Sequence, residues 1–201
     1  MRPRVRCDGR FPRLFSKPRP RNKRALTAGA AISLLLLVGG AAQMPGGRPT
    51  PTGLEVPRWV SLKSEPVRAR YGPGLDHRIL WEYRAAGLPV QVIAETREWR
   101  KICDPEGSVA WIHRTVASGR RTVFNTAADE TPLRARPEAD APVRARLQPR
   151  SLATLEECAD GWCRIRAGRM RGWAEQSALF GVQTAALCPA SAPAGPRARR
   201  G

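Results

Sequence analysis

Histidine is nearly missing from this chain: 201 residues contain only His77 and His113, and no tight Cys/His spacing could supply four ligands to a metal. No Gly-rich phosphate loop opens a helix either, because Tyr71-Gly72-Pro73-Gly74 sits between predicted strands. The GxS-type nucleophile elbow is absent. A Cys–His hydrolase would need a nucleophile and a base converging in a cleft. Cys103 and His113 are the only nearby pair, and a predicted hairpin holds them at opposite ends. A buried Cys and an exposed His are the ordinary reading. Acidic residues number 17 and form no recognisable catalytic pair. The expectation is a protein that is not an enzyme, with no metal and no cofactor.

Charge is missing from one stretch in particular. Residues 25–42 carry none, and Ile32-Ser33-Leu34-Leu35-Leu36-Leu37-Val38 forms their apolar centre. Residues 1–24 before them hold ten Lys or Arg against one acidic residue, Asp8. A basic flank, a short apolar core and the small residues Gly40-Ala41-Ala42 read as a secretory signal with cleavage after Ala42. The flank is long for a signal peptide. An uncleaved anchor in the inner membrane, basic arm inside, is the other reading, as is a start codon further downstream. Either way the remainder is expected outside the cytoplasm, periplasmic or secreted. The leader contributes +9 of the formal +18, leaving +9 for the rest (25 basic, 16 acidic). That surplus is mostly Arg interspersed with acidic residues, so no specific nucleic-acid partner is expected, only bulk charge. Membrane contact is expected only through the N-terminal segment, if uncleaved.

What the chain does have is a repeat. Around Trp99 it reads GLPVQVIAETREWRKICDPEGSVAWI, and around Trp162 it reads PRSLATLEECADGWCRIRAGRMRGWA. Each copy has a hydrophobic strand, a polar turn, Trp, a short alternating stretch, a Gly-bearing turn and Trp again. Upstream, Val67-Arg68-Ala69-Arg70 matches Leu133-Arg134-Ala135-Arg136 at an offset of 66, against 63 at the first Trp and 62 at the second. A nearly constant offset implies two tandem small domains. Val90, Val92 and Ala94 alternate with Gln91, Ile93 and Glu95, as in a pleated strand. Frequent turns (Gly87, Asp104-Pro105-Glu106-Gly107, Asp160-Gly161, Ala167-Gly168) suit small antiparallel barrels. The reading is all-β: a Pro/Gly-rich linker over residues 43–58, barrels over 59–119 and 122–182, and a disordered tail over 183–201. Ser118-Gly119-Arg120-Arg121 is too short for a free linker, so the barrels should touch.

Of the five Cys, Cys7 precedes the apolar segment. Cys158 and Cys163 flank a turn where two antiparallel strands could bring them close enough to bridge; two separate small hydrophobes are the alternative. Cys188, in the tail, is the expected free thiol.

The run Val67-Arg68-Ala69-Arg70-Tyr71-Gly72-Pro73-Gly74-Leu75-Asp76, with Glu98-Trp99-Arg100-Lys101-Ile102 and Ala110-Trp111-Ile112, resembles the bacterial SH3-like domains found as tandem pairs in exported proteins. The second copy departs from that pattern, with Pro137-Glu138-Ala139-Asp140 in place of Gly-Pro-Gly, but keeps Gly161-Trp162 and Gly172-Trp173. The resemblance implies two tandem SH3-like barrels that recognise peptides, sometimes those of peptidoglycan, on the surface beside the arginine-glycine loop. Tyr71, Asp76, Trp81 and Tyr83 could form that surface, since flat rings cover apolar peptide with little entropy loss. In so small a barrel Trp81 and Tyr83 equally suit the core, and Asp76 could cap its own loop. Two functions stay open: an envelope module binding peptidoglycan peptides or a partner protein, and a structural scaffold at the inner membrane without wall affinity.

Overall fold

The computed structural model describes residues 49–197, and the leader expected over residues 1–42 lies outside them. Strands form where apolar and polar residues alternate. In β2 (Val67–Arg70), Val67 and Ala69 are buried while Arg68 is exposed; in β12 (Trp162–Ala167), Cys163 and Ile165 are buried between more open neighbours. The first barrel adds β1 (Arg58–Leu62), β3 (Ile79–Tyr83), β4 (Pro89–Glu95), β5 (Trp99–Cys103), β6 (Val109–His113) and β7 (Ala117–Ser118). The second adds β8 (Thr122–Asn125), β9 (Thr131–Arg134), β10 (Val143–Leu147), β11 (Leu152–Ala159), β13 (Met170–Glu175) and β14 (Leu179–Phe180). No α-helix occurs among the described residues; a single 3₁₀ turn precedes the last strand of each barrel.

The strand orders are β3-β2-β6-β5-β4-β1-β7 and β10-β9-β13-β12-β11-β8-β14, one topology used twice. The two registers correct the sequence alignment upstream. Arg70 pairs with Trp111, and Arg134 pairs with Trp173. Each Arg also donates to the carbonyl seven residues on, Arg70 to His77 and Arg134 to Ala141. Arg70 therefore corresponds to Arg134, an offset of 64. The literal match of Val67-Arg68-Ala69-Arg70 to Leu133-Arg134-Ala135-Arg136 is two residues out of register. Slipping a strand by two keeps its inward face inward, so the apolar pattern could not detect the slip.

Each barrel has its own core. Leu62, Val67, Val90, Val92, Ile102 and Ile112 fill the first; Val123, Leu133, Leu147, Ile165 and Leu179 are among those filling the second. A buried aliphatic side chain contributes roughly 2 kcal/mol. Gly172 lies where β13 crosses β9, and a Cβ there would sit 2.8 Å from the Leu133 Cβ. The barrels do touch. Phe124 and Leu152 of the second pack against the first core, and Thr122 Oγ1 donates to the Gly87 carbonyl at 2.7 Å. Trp59 meets Phe180 edge-on at 4.8 Å.

The flanking segments overturn two expectations. Residues 183–197 are no disordered tail: they cross the outer face of β4 and β5 as a strap. Gln91 Nε2 donates to the Ala185 carbonyl, Lys101 Nζ to Ala190, and Gly195 pairs with Val109. Cys188 is not free, being bonded to Cys103 within a cluster with Ile93 and Val109. The described part of the expected linker also packs. Thr52 and Arg58 hydrogen-bond to Glu95, and Val56 leans on the first core. These covers explain why β4 is buried on both faces despite its alternating sequence. Outward polar groups on a strand are satisfied here by returning chain instead of by water.

Candidate functional site

The structure separates the four residues nominated from sequence. Tyr71 and Asp76 are exposed on the loop between β2 and β3. Arg70 holds that loop through the Leu75 and His77 carbonyls, and Gly72 lies so close under the His77 ring that a Cβ there would have to displace it. Arg78 stacks 5.2 Å over the Tyr71 ring. Trp81 and Tyr83, paired edge-on at 6.0 Å, stand elsewhere. They line a cleft of about 640 Å³ between the barrels, facing Phe124, Asn125 and Arg150. Tyr83 also leans on the first core, so it is both a core residue and part of the cleft wall. Its hydroxyl donates to Asp104 Oδ2 at 3.0 Å. Burial and the neighbouring carboxylate push that phenol well above its ordinary range. Burial likewise raises Asp104, although backbone N–H groups of Ser108 and Glu106 and the Tyr83 hydroxyl pull the other way. Asp104 thus ties its own turn to the barrel and offers little to a ligand.

A different surface occurs twice. In the first barrel Pro66, Arg68, Arg70, Leu75, Trp99, His113 and Val116 line a groove of about 310 Å³. The loop reaches it with Leu75, which is 77% exposed, and not with Tyr71 or Asp76. In the second barrel a groove of about 270 Å³ is lined by Glu130, Pro132, Arg134, Trp162, Glu175 and Ala178, with residues 127–129 and Thr131 at its end. The registers superpose them. Trp99 pairs with His113 as Trp162 pairs with Glu175. Val116 and Ala178 close the two 3₁₀ turns, and Arg70 and Arg134 brace the two loops. Six of the seven positions lining the first groove therefore have counterparts in the second.

Trp99 is buried, 8% exposed, with its ring against His113 at 5.2 Å, and Trp162 is half-buried. Sequence alone could not place these rings, since a Trp at a strand start has either face open to it. Glu98 sits beside the first groove. A hydrogen bond from Arg114 at 2.8 Å holds its carboxyl below the usual range.

Cys158 and Cys163 are bonded across the β11–β12 turn, with Cα atoms 4.1 Å apart. With Cys103–Cys188 this gives two disulfides among the described residues. Both Cys103 and Cys188 were within reach of sequence reasoning. Four Cys lie in residues 43–201, and an even count in a chain expected to be exported argues for two bridges. No cluster of three or more His, Cys, Asp or Glu that could hold a metal occurs among the described residues.

Comparison with known proteins agrees with this architecture. The bacterial SH3 domain model matches residues 63–119 and 127–181, more than half of the chain. No curated protein matches. Among solved structures, the chain is similar to NlpC2 from Trichomonas vaginalis, at 15% identity and a TM-score of 0.29 over 63% of this chain and 49% of that one. It is also similar to NlpC1 from the same organism, at 14% identity and a TM-score of 0.29 over 69% of this chain and 48% of that one. The chain thus spans about half the length of these structures. The matched residues take in every strand of the two sheets except β1 and β8, and the chain belongs to the bacterial SH3 domain family as a tandem pair.

Proposed function

We propose that this protein is a non-catalytic binding module of the cell envelope, whose tryptophan-lined grooves hold peptidoglycan peptides. The observation that carries the reading is the duplicated groove. Two copies that share little sequence keep a Trp wall, a small apolar residue and a braced arginine at corresponding positions. An indole wall offers an extended peptide much apolar contact for few frozen rotamers. Two disulfides support a place outside the cytoplasm, where such bonds persist.

Pull-down on purified sacculi tests it. Residues 43–201 should sediment with the wall and stay bound at an ionic strength that screens the Arg surplus. A Trp99→Leu/Trp162→Leu variant keeps apolar bulk but loses both indole faces, and should be released. Recovery of the parent protein wholly in the supernatant at low salt would refute wall binding and favour a scaffold at the inner membrane.

A further inference from the structure

The two grooves share a shape but not a charge. Three of the six corresponding pairs preserve character: Arg70 with Arg134, Trp99 with Trp162, and Val116 with Ala178. The other three change, and all in one direction. Pro66 becomes Glu130, Arg68 becomes Pro132, and His113 becomes Glu175. Each exchange makes the second groove more negative than the first.

Local pairing leaves this contrast intact. In the first groove Arg68 makes only an exposed contact with Glu82 at 3.4 Å, and Glu82 is shared with Arg84. Glu98, beside this groove, pairs with Arg114 at 2.8 Å and lies 3.6 Å from His113 Nε2. In the second, Glu130 makes only a 3.9 Å contact with the exposed Arg146 and a hydrogen bond from Gln148. Glu175 does not cap the 3₁₀ turn that follows it. Glu175 is the cross-strand partner of Trp162 and lines the same groove, a pairing that suits a cation held over an indole face.

We propose that the grooves have diverged to opposite ligands: the one beside Trp99 takes a carboxylate-bearing peptide segment, and the one beside Trp162 takes an ammonium-bearing segment. This deepens the peptide-binding reading and rests on it, but does not depend on the wall as the source of the peptide. A chain carrying both groups would engage the two barrels together, with avidity neither groove has alone.

The test uses the full-length chain labelled with ¹⁵N-tryptophan, whose six indoles give six resonances. The probes are the capped tripeptides acetyl-Ala-Glu-Ala-amide and acetyl-Ala-Lys-Ala-amide. The Glu peptide should shift the Trp99 indole signal and the Lys peptide the Trp162 signal. Arg68→Glu should weaken the first response about threefold to fivefold, the scale of one solvent-exposed ion pair, and leave the second unchanged. Glu175→His, which installs the first groove's residue, should do the converse. Both positions lie at the surface, and the second indole of the mutated barrel, Trp111 or Trp173, reports retained fold. The proposal falls if both probes move the two indoles alike, or if neither probe moves either. Sacculus binding without probe discrimination would remove this inference and spare the wall reading; discrimination without sacculus binding would do the reverse.

Discussion

Removing the Cys103–Cys188 bond should cost this protein far more than removing Cys158–Cys163, although both are single bridges. The difference lies in the unfolded chain. The first closes a loop across a sequence separation of 85 residues, the second across 5. The chain-entropy relation then gives about 4.5 kcal/mol for the first and about 2 kcal/mol for the second. A Cys103→Ala/Cys188→Ala variant avoids leaving a free thiol and keeps both Cβ atoms in their buried cluster. Its strap retains noncovalent anchors at Gln91, Lys101 and Val109, so the native fold should persist and the loss should be mainly unfolded-state entropy. Equilibrium urea unfolding followed by Trp fluorescence is the assay. With a slope of about 2 kcal/mol/M for a domain of this size, the midpoint should fall by about 2 M. The corresponding Cys158→Ala/Cys163→Ala variant should lose about half as much. Equal losses, or a larger loss from the short loop, would refute the reasoning and mean that native-state strain, not loop closure, sets the contribution of each bond.

Other outcomes follow from the same packing. Burial pushes the Glu95 carboxyl up, but hydrogen bonds from Arg58 and Thr52 and the charge of Arg100 overcome it and hold the group below its ordinary range. That stabilisation is fully present above the unfolded value and is lost as pH falls through the folded one. Glu95→Gln should therefore cost about 3 kcal/mol at pH 7, with the gap to the parent narrowing below about pH 4.5 in acid titrations of stability. Gly172→Ala should cost about 2 kcal/mol by thermal unfolding, because Leu133 and the Arg134 carbonyl, 2.8 and 3.1 Å from the new methyl, cannot both retreat. Residues 59–119 alone should fail to give the dispersed amide spectrum of a folded domain, whereas residues 49–197 should give one.

The fold was legible because its evidence is local. Alternation in β4, turns at Asp160-Gly161 and Gly107, paired Trp residues and the short Ser118-Gly119-Arg120-Arg121 join each report on a few neighbouring positions. Fold class, the tandem pair and contact between barrels all follow from them. The strap was not legible, since nothing in Pro- and Ala-rich residues 183–197 shows a period. What orders it is borrowed: the side chains of Gln91 and Lys101, and a bond to Cys103, all about 85 to 95 positions away. The groove was half legible. Arg70, Trp99 and Trp162 stood out as motif residues, but which face of each ring stays open depends on the register of β5 against β6, and alternation does not specify that.

The order of segments along the chain has a further consequence. Barrel one receives its own outer cover only after barrel two has been traversed, because the strap begins at Gln183, just past β14. Barrel two is in effect an insertion between barrel one and the segment that covers it. Trp59 makes the dependence concrete: its ring packs on Phe180 of the second barrel and its Nε1–H donates to the Gln183 carbonyl at 2.7 Å, where the strap departs. Thr122 adds to it by bonding Gly87 across the junction. Barrels of about sixty residues bury too little surface to be robust alone, and here the shortfall is met by sharing a junction and a strap instead of enlarging either core. Under the proposed reading, a ligand chain long enough to reach both grooves would gain from the same arrangement. A junction fixed by Trp59, Thr122 and Phe124 holds the grooves at a set spacing, so the second contact carries little added cost in orientational freedom.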